Sequence, residues 1–154
     1  MEAILSTRTL VMLVAPSAMG KSTIMNEVVR MDARFSRVRS FTTRPPRDND
    51  EPDHYIYLTA EELATHRTTG DVVTEVTFPT TGQTYGTLTR SFTGEYCLLD
   101  TLANSVDDYR ALPLKQAVTV SVTAPVDQWR EHFLARYPEQ PPEALKRLEE
   151  AKLS

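Results

Sequence analysis

The sequence predicts an α/β fold in three layers, with a parallel core sheet between helices. The continuous apolar run at residues 10–14 is typical of a strand buried on both faces. An amphipathic helix follows it, with Ile24, Val28 and Met31 on one face and two further apolar residues beside them. Two more apolar runs, at residues 96–99 and 117–123, predict core strands. Strands that alternate with helices favour a mostly parallel sheet.

The middle of the chain breaks this pattern and predicts a small mixed α/β insertion. Short strands are expected at residues 37–41, 54–58 and 72–78, the last followed by a turn rich in Thr and Gly. Thr59 and Glu62 form a capping box that opens a short helix. We therefore divide the chain into a core at residues 1–37 and 91–126, and an insertion at residues 38–90.

Residues 127–154 predict a short helical lid and a terminal helix. Val126, Trp129 and Phe133 share one helical face. A Pro-rich connection then leads to a helix whose apolar stripe has four members, Ala144, Leu145, Leu148 and Ala151.

Composition excludes several classes of protein. The 154 residues suffice for one core, and the formal net charge of −4 gives no basic excess to bind polymeric nucleic acid. The one cysteine, Cys97, lies in an apolar run and is interpreted as a core residue in a reducing compartment. The longest apolar run is too short for a bilayer, and no secretion signal precedes it, so we expect a cytoplasmic protein with no membrane partner.

The strongest motif lies between the first strand and the first amphipathic helix. It reads A-P-S-A-M-G-K-S, and in this context it predicts the phosphate-binding loop of a P-loop NTPase fold. Main-chain N–H groups at the helix start would hold a phosphate, Lys21 would reach the outer phosphates, and the Ser22 hydroxyl would ligate Mg²⁺ that accompanies ATP. The predicted ATP-binding residues are Ala15, Pro16, Ser17, Ala18, Met19, Gly20, Lys21, Ser22 and Thr23. A chance G-K-S tripeptide at a helix start is the alternative.

This loop is poor in glycine. Ala15 occupies the first glycine position of the general pattern, and Ala18 and Met19 fill the middle of the loop. Any of these residues that must adopt a positive φ would be strained.

A second motif, S-F-T-T-R-P-P-R, occupies residues 40–47. Two prolines keep the segment from becoming helical, so Arg44 and Arg47 can converge on one anion, and the planar guanidinium binds phosphate through two hydrogen bonds. The alternative is a pair of solvated arginines in a surface loop.

Taken together, these motifs resemble the guanylate kinase family. That family carries A-P-S-G-x-G-K-S, then S-x-T-T-R-x-P-R, then an acidic stretch ending in a tyrosine, here Tyr55. Its E-E-F, F-x-E and G-N-Y-Y-G-T are similar to residues 61–63, 73–75 and 82–87. The similarity runs in order from about residue 9 to residue 151.

The resemblance implies roles for individual residues. The monophosphate would be bound by Ser40, Arg44, Arg47, Tyr55 and Tyr85. Glu75 and Thr87 would read guanine, with a one-residue uncertainty in the register of Glu75. Arg136 and Arg147 of the lid would clamp the transferring phosphoryl group beside Lys21 and Arg44, although Arg147 could instead pair with Glu143. Asp100 would join Ser22 in the Mg²⁺ shell.

Several positions depart from the family pattern. Ala18 replaces a loop glycine, His132 replaces a lid arginine, and Leu102 replaces a second acid that helps to hold guanine. The sequence also lacks the last strand and helix of the family, which predicts an incomplete ATP site and an open sheet edge suited to self-association or a partner. A fragment, a completing partner and a reduced lineage all remain open as explanations.

The expected reaction is transfer of the γ-phosphate of ATP to GMP or dGMP. A kinase for another nucleoside monophosphate or a phosphorylated sugar is one alternative, and a catalytically weak or inactive binding module is the other. The intact Gly20-Lys21-Ser22 favours the enzyme, because a scaffold has no need of a triphosphate lysine.

Overall fold

The computed structural model describes residues 1–16, 18–48, 50, 53–79 and 81–136. Its strands form two four-stranded sheets, of order β2-β7-β1-β8 and β4-β3-β6-β5. The strands are β1 (Thr9–Val14), β2 (Phe35–Arg37), β3 (Ser40–Thr42), β4 (Tyr55–Tyr57), β5 (Val72–Thr77), β6 (Thr84–Leu88), β7 (Tyr96–Asp100) and β8 (Gln116–Ser121). The α-helices are α1 (Glu2–Leu5), α2 (Lys21–Met31), α3 (Ala60–Thr68), α4 (Val106–Arg110) and α5 (Val126–Arg136).

The first sheet is entirely parallel and is covered on both faces, which confirms the predicted three-layer fold. Side chains alternate along β1, so Leu10 and Met12 pack with Leu5 of α1 on one side. Leu13 packs with Met25 of α2 on the other side. Because both faces are apolar, β1 reads as a continuous hydrophobic run.

The predicted apolar face of α2 was partly wrong. Ile24 and Met31 are 39% and 74% exposed, whereas Met25 is 1% exposed. Five apolar residues in this helix offer two overlapping stripes. The stripe that contains Met25 and Val28 packs against β1, and Ile24 is turned away from it.

The single strand predicted at residues 37–41 is two strands in different sheets. The chain leaves β2 at Val38, whose N–H donates to the Leu98 carbonyl at 2.8 Å and whose side chain is buried in the core. It enters β3 two residues later. This break places β3 to β6 in a second sheet, in which β3 and β4 are parallel and the other neighbours are antiparallel.

The residues predicted as a turn rich in Thr and Gly contain β6, a full strand. Gly86 is required there because a Cβ atom would lie 2.1 Å from the Thr74 carbonyl oxygen and 2.7 Å from the Phe41 ring. The glycine thus allows the strands to pack closely.

The predicted capping box at the start of α3 is confirmed. The Thr59 hydroxyl accepts from the Glu62 N–H at 3.1 Å, and the Glu62 carboxylate accepts from the Thr59 N–H at 2.7 Å.

In α5, the last described helix, Phe133 is buried (2% exposed), whereas Val126 is 74% exposed. The prediction that Val126 shares the packed face with Phe133 was therefore wrong. The predicted terminal helix lies outside the described residues.

The outer edge of the first sheet is formed by β8. Within the described part of the chain, β8 has a strand neighbour only on its β1 side, so association at this edge stays a prediction. No described helix has the length and hydrophobicity needed to cross a membrane.

Candidate nucleotide site

The P-loop connects β1 to α2, as the motif predicts. Gly20 is the N-cap of α2 and adopts φ of +76°, a left-handed conformation that glycine tolerates. Ala18 adopts φ of +66°, which confirms the strain expected from a glycine-poor loop. Ala15, Pro16, Met19, Ser22 and Thr23 flank these positions, and Ser17 lies outside the described residues.

The Lys21 ammonium is held by the loop itself. Its Nζ donates to the carbonyl oxygens of Ala15 at 2.7 Å and Pro16 at 3.4 Å, and lies 3.6 Å from Asp100 Oδ1. The side chain is only 14% exposed. The loop therefore fixes one positive charge at the start of α2, where the helix dipole already favours an anion.

Asp100 ends β7 directly beside Leu13 of β1, so its carboxylate reaches the edge of the sheet where the P-loop begins. Burial raises the pKa of Asp100, and the Lys21 charge opposes this effect. The Ser22 hydroxyl and the Asp100 carboxylate offer the oxygen donors that Mg²⁺ prefers. The described residues hold no cluster of three or more metal-ligating side chains.

The second half of the site is one face of the mixed sheet, which we call the tyrosine face. Strand register puts Ser40 beside Tyr55 and Thr87, and Thr42 beside Tyr57 and Tyr85. Neighbours in register share a face. The predicted residues Ser40, Tyr55, Tyr85 and Thr87 thus come together on this face. Phe41 points the opposite way, into the small core under α3.

Arg44 lies over the tyrosine face. Its guanidinium carbon is 5.1 Å from the centroid of the Tyr55 ring and 5.8 Å from that of Tyr57, and the residue is only 6% exposed. Its Nη1 donates to Asp50 Oδ2 at 2.8 Å and to the Pro45 carbonyl at 3.0 Å, and its Nη2 donates to Asp50 Oδ1 at 2.5 Å. The aromatic rings and the carboxylate together fix the orientation of this arginine.

The Asp50 carboxylate collects further donors. It accepts from the Tyr57 hydroxyl at 2.5 Å and from the Arg47 main-chain N–H at 2.8 Å. The hydrogen bonds from Arg44 hold the pKa of Asp50 well below its usual range and raise that of Arg44. Arg47 contributes its main-chain N–H to this cluster, and the residue is exposed.

The structure does not bring Glu75 to the tyrosine face. Its carboxylate accepts hydrogen bonds from Arg67 Nε of α3, with both oxygens at 3.1 Å. A β-bulge between Val72 and Thr74 shifts the register of β5 by one residue, so Thr74 pairs with Thr87 on the tyrosine face instead. This shift falls within the one-residue uncertainty of the sequence prediction.

Thr87 lies on the predicted face but is fully buried. Its hydroxyl is 2.9 Å from the Thr74 hydroxyl, which donates to the Tyr109 hydroxyl at 2.8 Å. Tyr109 belongs to α4 of the core. This hydroxyl network therefore joins the mixed sheet to α4 of the core, and it engages the Thr87 hydroxyl, which was predicted to read a base.

The first sheet and the mixed sheet meet at a contact between Arg37, which ends β2, and His54, which precedes β4. Arg37 Nη2 and His54 Nδ1 lie 3.3 Å apart, and the His54 ring packs edge-on against Tyr55, with ring centroids 4.4 Å apart. Burial raises the pKa of Tyr55. This contact links the start of the tyrosine face to the first sheet.

The predicted lid arginines are only partly described. Arg136 ends α5, but its side chain lies outside the described part of the structure, as does the whole of Arg147. His132 is exposed on α5.

Sequence reasoning missed Asp50 and Tyr57. Their signals were weak: an acid six residues after Arg44, and a second tyrosine at alternate spacing from Tyr55, which places both rings on one side of β4.

A parallel sheet with a phosphate-binding loop after an interior strand, joined to a small mixed sheet with a buried arginine, defines a P-loop NTPase fold with an inserted mixed sheet. The chain belongs to the guanylate kinase family, whose model, described as "Guanylate kinase", matches residues 6–152.

Individual relatives match shorter segments. The chain is 36% identical over 63 residues to the guanylate kinase of Paraburkholderia xenovorans (strain LB400), covering 40% of this chain and 28% of the relative. It is 38% identical over 64 residues to the guanylate kinase of Xanthomonas oryzae pv. oryzae (strain MAFF 311018), covering 41% and 32%. The matches thus span less than a third of each relative's length.

A solved structure, the guanylate kinase from Anaplasma phagocytophilum, aligns with a TM-score of 0.54. The alignment covers 96% of this chain and 74% of the other at 15% sequence identity. This likeness supports the fold.

Proposed function

We propose that the protein transfers the γ-phosphate of ATP to a nucleoside monophosphate, with GMP or dGMP as the first candidate. The observation that carries this proposal is the presence of two ordered cationic centres, Lys21 held at the P-loop and Arg44 held on the tyrosine face. A phosphoryl transfer between two phosphates needs such centres, because its catalysis depends on alignment and charge stabilisation.

The geometry of Arg44 suits a monophosphate acceptor. A guanidinium has five N–H donors in one plane. Asp50 and the Pro45 carbonyl take three of them. The remaining two, on Nε and Nη2, form the side-on fork that binds two oxygens of one phosphate. The Tyr55 and Tyr85 hydroxyls and Ser40 are further donors on the same face.

At the other centre, the P-loop amides and Lys21 would hold the outer phosphates of ATP. Magnesium would be held by the Ser22 hydroxyl, the Asp100 carboxylate and the phosphates, and it would supply charge neutralisation. Lys21 would exchange its bonds to loop carbonyls for bonds to phosphate. Arg136 and Arg147 remain proposed lid residues. The assignment of residues 38–90 as a monophosphate-binding insertion is part of this proposal. A cytoplasmic location is proposed as well.

A second candidate is a kinase for another nucleoside monophosphate. The orientation of Glu75 toward Arg67 favours this alternative, because the carboxylate assigned to guanine lies on the opposite side of β5 from the tyrosine face. Leu102, at the position of a second guanine-binding acid, is 58% exposed and offers no hydrogen bond to a base.

The test is an ADP-release assay with GMP, dGMP, AMP, UMP and CMP as acceptors. We expect turnover with GMP, reduced about 10²-fold or more in Lys21→Ala because a positioned donor to the transferring group is lost. Lys115→Ala, which removes an exposed lysine, is the matched control and should retain full activity. Turnover with a different acceptor only would identify the second candidate.

Calorimetric titrations of GMP and ATP, each alone, separate binding from turnover. Binding of GMP with no ADP release would show that the chain is a binding module and would refute the kinase proposal.

A further inference from the structure

The outer strand of the first sheet, β8, leaves one edge of its backbone without a strand partner among the described residues. Its register with β1 runs through consecutive pairs without a bulge, from Thr9 with Gln116 to Val14 with Ser121. No charged residue and no proline occurs at residues 116–124. Natural sheets protect exposed edges with charges, prolines or bulges, because a bare edge pairs with other strands. The β8 edge has none of these three protections.

The other edges that the described strands form are better protected. Strands β2 and β4 have only three residues each, and Arg37 ends β2. Strand β5 has six residues, but it carries Glu75 and a bulge between Val72 and Thr74. Length, regular register and lack of charge therefore distinguish β8 from these edges.

Alternation along β8 decides which of its backbone groups face outward. The N–H of Val122 donates to the Val14 carbonyl of β1 at 2.9 Å, so the even-numbered residues of β8 point toward β1. The N–H and C=O groups of the odd-numbered residues, Ala117, Thr119 and Ser121, therefore face away from β1. Outward groups at alternate positions are the pattern with which a neighbouring strand pairs.

We propose that the β8 edge binds the β8 edge of a second copy of this chain, in antiparallel register about a two-fold axis at Thr119. This register pairs Thr119 with Thr119 of the partner subunit, and Ala117 with Ser121 of the partner subunit. It satisfies the outward N–H and C=O groups of all three residues in each copy. A shift along the strand leaves some of these groups unpaired. The contact is isologous, as in most homodimers.

The side chains of β8 are self-complementary in the same register. Val120 is 41% exposed and shares a face of the sheet with Leu13. The axis sets Val120 opposite the partner subunit's Val118, at a pair that exchanges no hydrogen bonds and whose side chains are therefore close. The Thr119 hydroxyl lies on the other face, where it accepts from Arg110 Nη2 of α4 at 3.0 Å. The pairing thus covers exposed apolar surface with contacts between β-branched residues.

A second copy suits this edge better than the remaining part of the sequence does. Residues 137–154 contain three prolines and no Val, Ile or Thr, so they do not predict a strand that could pair with β8. A copy of β8 supplies β-branched residues at three consecutive positions, Val118, Thr119 and Val120. Because the edge is short, we expect a weak dimer with a dissociation constant of roughly 1–100 µM.

The first experiment is oxidative cross-linking of two cysteine variants, in which the buried Cys97 is retained. In Thr119→Cys the new thiols face each other across the axis, with Cα atoms about 5.5 Å apart, within the range of a disulfide. In Gln116→Cys, the matched control on the same strand, they are about 20 Å apart. We expect a covalent dimer from Thr119→Cys alone. Equal cross-linking of the two variants, or none in either, would overturn the proposal.

Sedimentation equilibrium measures the association of the unmodified chain. Val120→Lys places a charge at the paired edge and should weaken the dimer about tenfold or more. Val76→Lys makes the same change at a valine that is 48% exposed on β5, and it should alter the dissociation constant less than about twofold. A wild type that stays monomeric at about 1 mM, or equal effects of the two lysines, would show that the edge does not bind a second copy.

Discussion

Both carboxylate oxygens of Asp50 accept hydrogen bonds from the terminal nitrogens of Arg44, at 2.8 and 2.5 Å, and the guanidinium carbon of Arg44 lies over the Tyr55 ring, 5.1 Å from its centroid. The carboxylate binds hydrogens on the two terminal nitrogens, so the side-on edge formed by Nε and Nη2 still has two N–H donors for a ligand. Asp50 is therefore a positioning residue: it orients Arg44 without occupying the fork that we assign to phosphate.

This ion pair predicts a particular dependence of stability on pH. The pKa of Asp50 is lowered by Arg44, and an aspartate that is paired in the folded state stabilises the protein above its unfolded pKa of about 3.9. That contribution is lost as the pH falls through the lower folded value. We expect wild type to exceed Asp50→Asn by about 2–4 kcal/mol in free energy of unfolding at neutral pH, a difference that shrinks below about pH 4.

Urea denaturation of both proteins across this pH range measures the difference. Asp107→Asn, which changes an exposed aspartate on α4, should differ from wild type by less than about 0.5 kcal/mol. A gap between wild type and Asp50→Asn that stays constant into strong acid would show that the Asp50 charge does not matter.

Arg44→Lys tests the side-on fork directly. Lysine keeps the positive charge but loses the planar pair of donors. We expect GMP affinity to fall about 10- to 100-fold, the worth of one or two charge-assisted hydrogen bonds, with ATP affinity unchanged. Calorimetry measures both. Arg30→Lys, on the exposed side of α2, is the control, and unchanged GMP affinity in Arg44→Lys would refute the assignment.

The sequence predicted those parts of the fold that depend on local patterns. The apolar run of β1, the Gly20-Lys21 helix start and the Thr59 capping box each act over a few residues, so each was visible without coordinates. The register of β5 was not, because a bulge between Val72 and Thr74 depends on strand pairing with β6.

The same limit applies within the candidate site. The arginine at 44 was visible as a motif, but its partner Asp50 was not, since the ion pair requires the loop to turn back on itself. Register errors of one residue reverse the face of every side chain that follows.

Glu75→Gln examines the consequence of this register. Because the Glu75 carboxylate bonds to Arg67, we expect the preference for GMP over AMP to change less than about twofold. The measurement is the ratio of kcat/KM values, or of affinities if turnover is absent. A tenfold fall in that ratio would show that Glu75 reaches the base when substrate is bound.

Thr74→Val is the companion variant on the tyrosine face. It removes the hydroxyl that bonds to Thr87 and Tyr109 and leaves a buried partner unsatisfied. A loss of about 1–3 kcal/mol in unfolding free energy is expected, measured by denaturation. A neutral result would mean that this network does not help to hold the mixed sheet against α4.

The last prediction concerns strain in the P-loop. Ala18 holds a φ of +66°, a conformation that costs a residue with a Cβ roughly 1–2 kcal/mol. Glycine removes this cost, but its greater freedom in the unfolded chain lowers the free energy of unfolding by about 0.4–1 kcal/mol. Ala18→Gly should therefore stabilise the protein by about 0.5–1 kcal/mol and raise Tm by about 1–4 °C, as measured by calorimetry without nucleotide. Ala64→Gly, in the exposed interior of α3, makes the same chemical change where φ is helical and should destabilise by about 1 kcal/mol. Opposite signs in the two variants would confirm the strain at Ala18, whereas equal losses would mean that residue 18 has no left-handed backbone in solution.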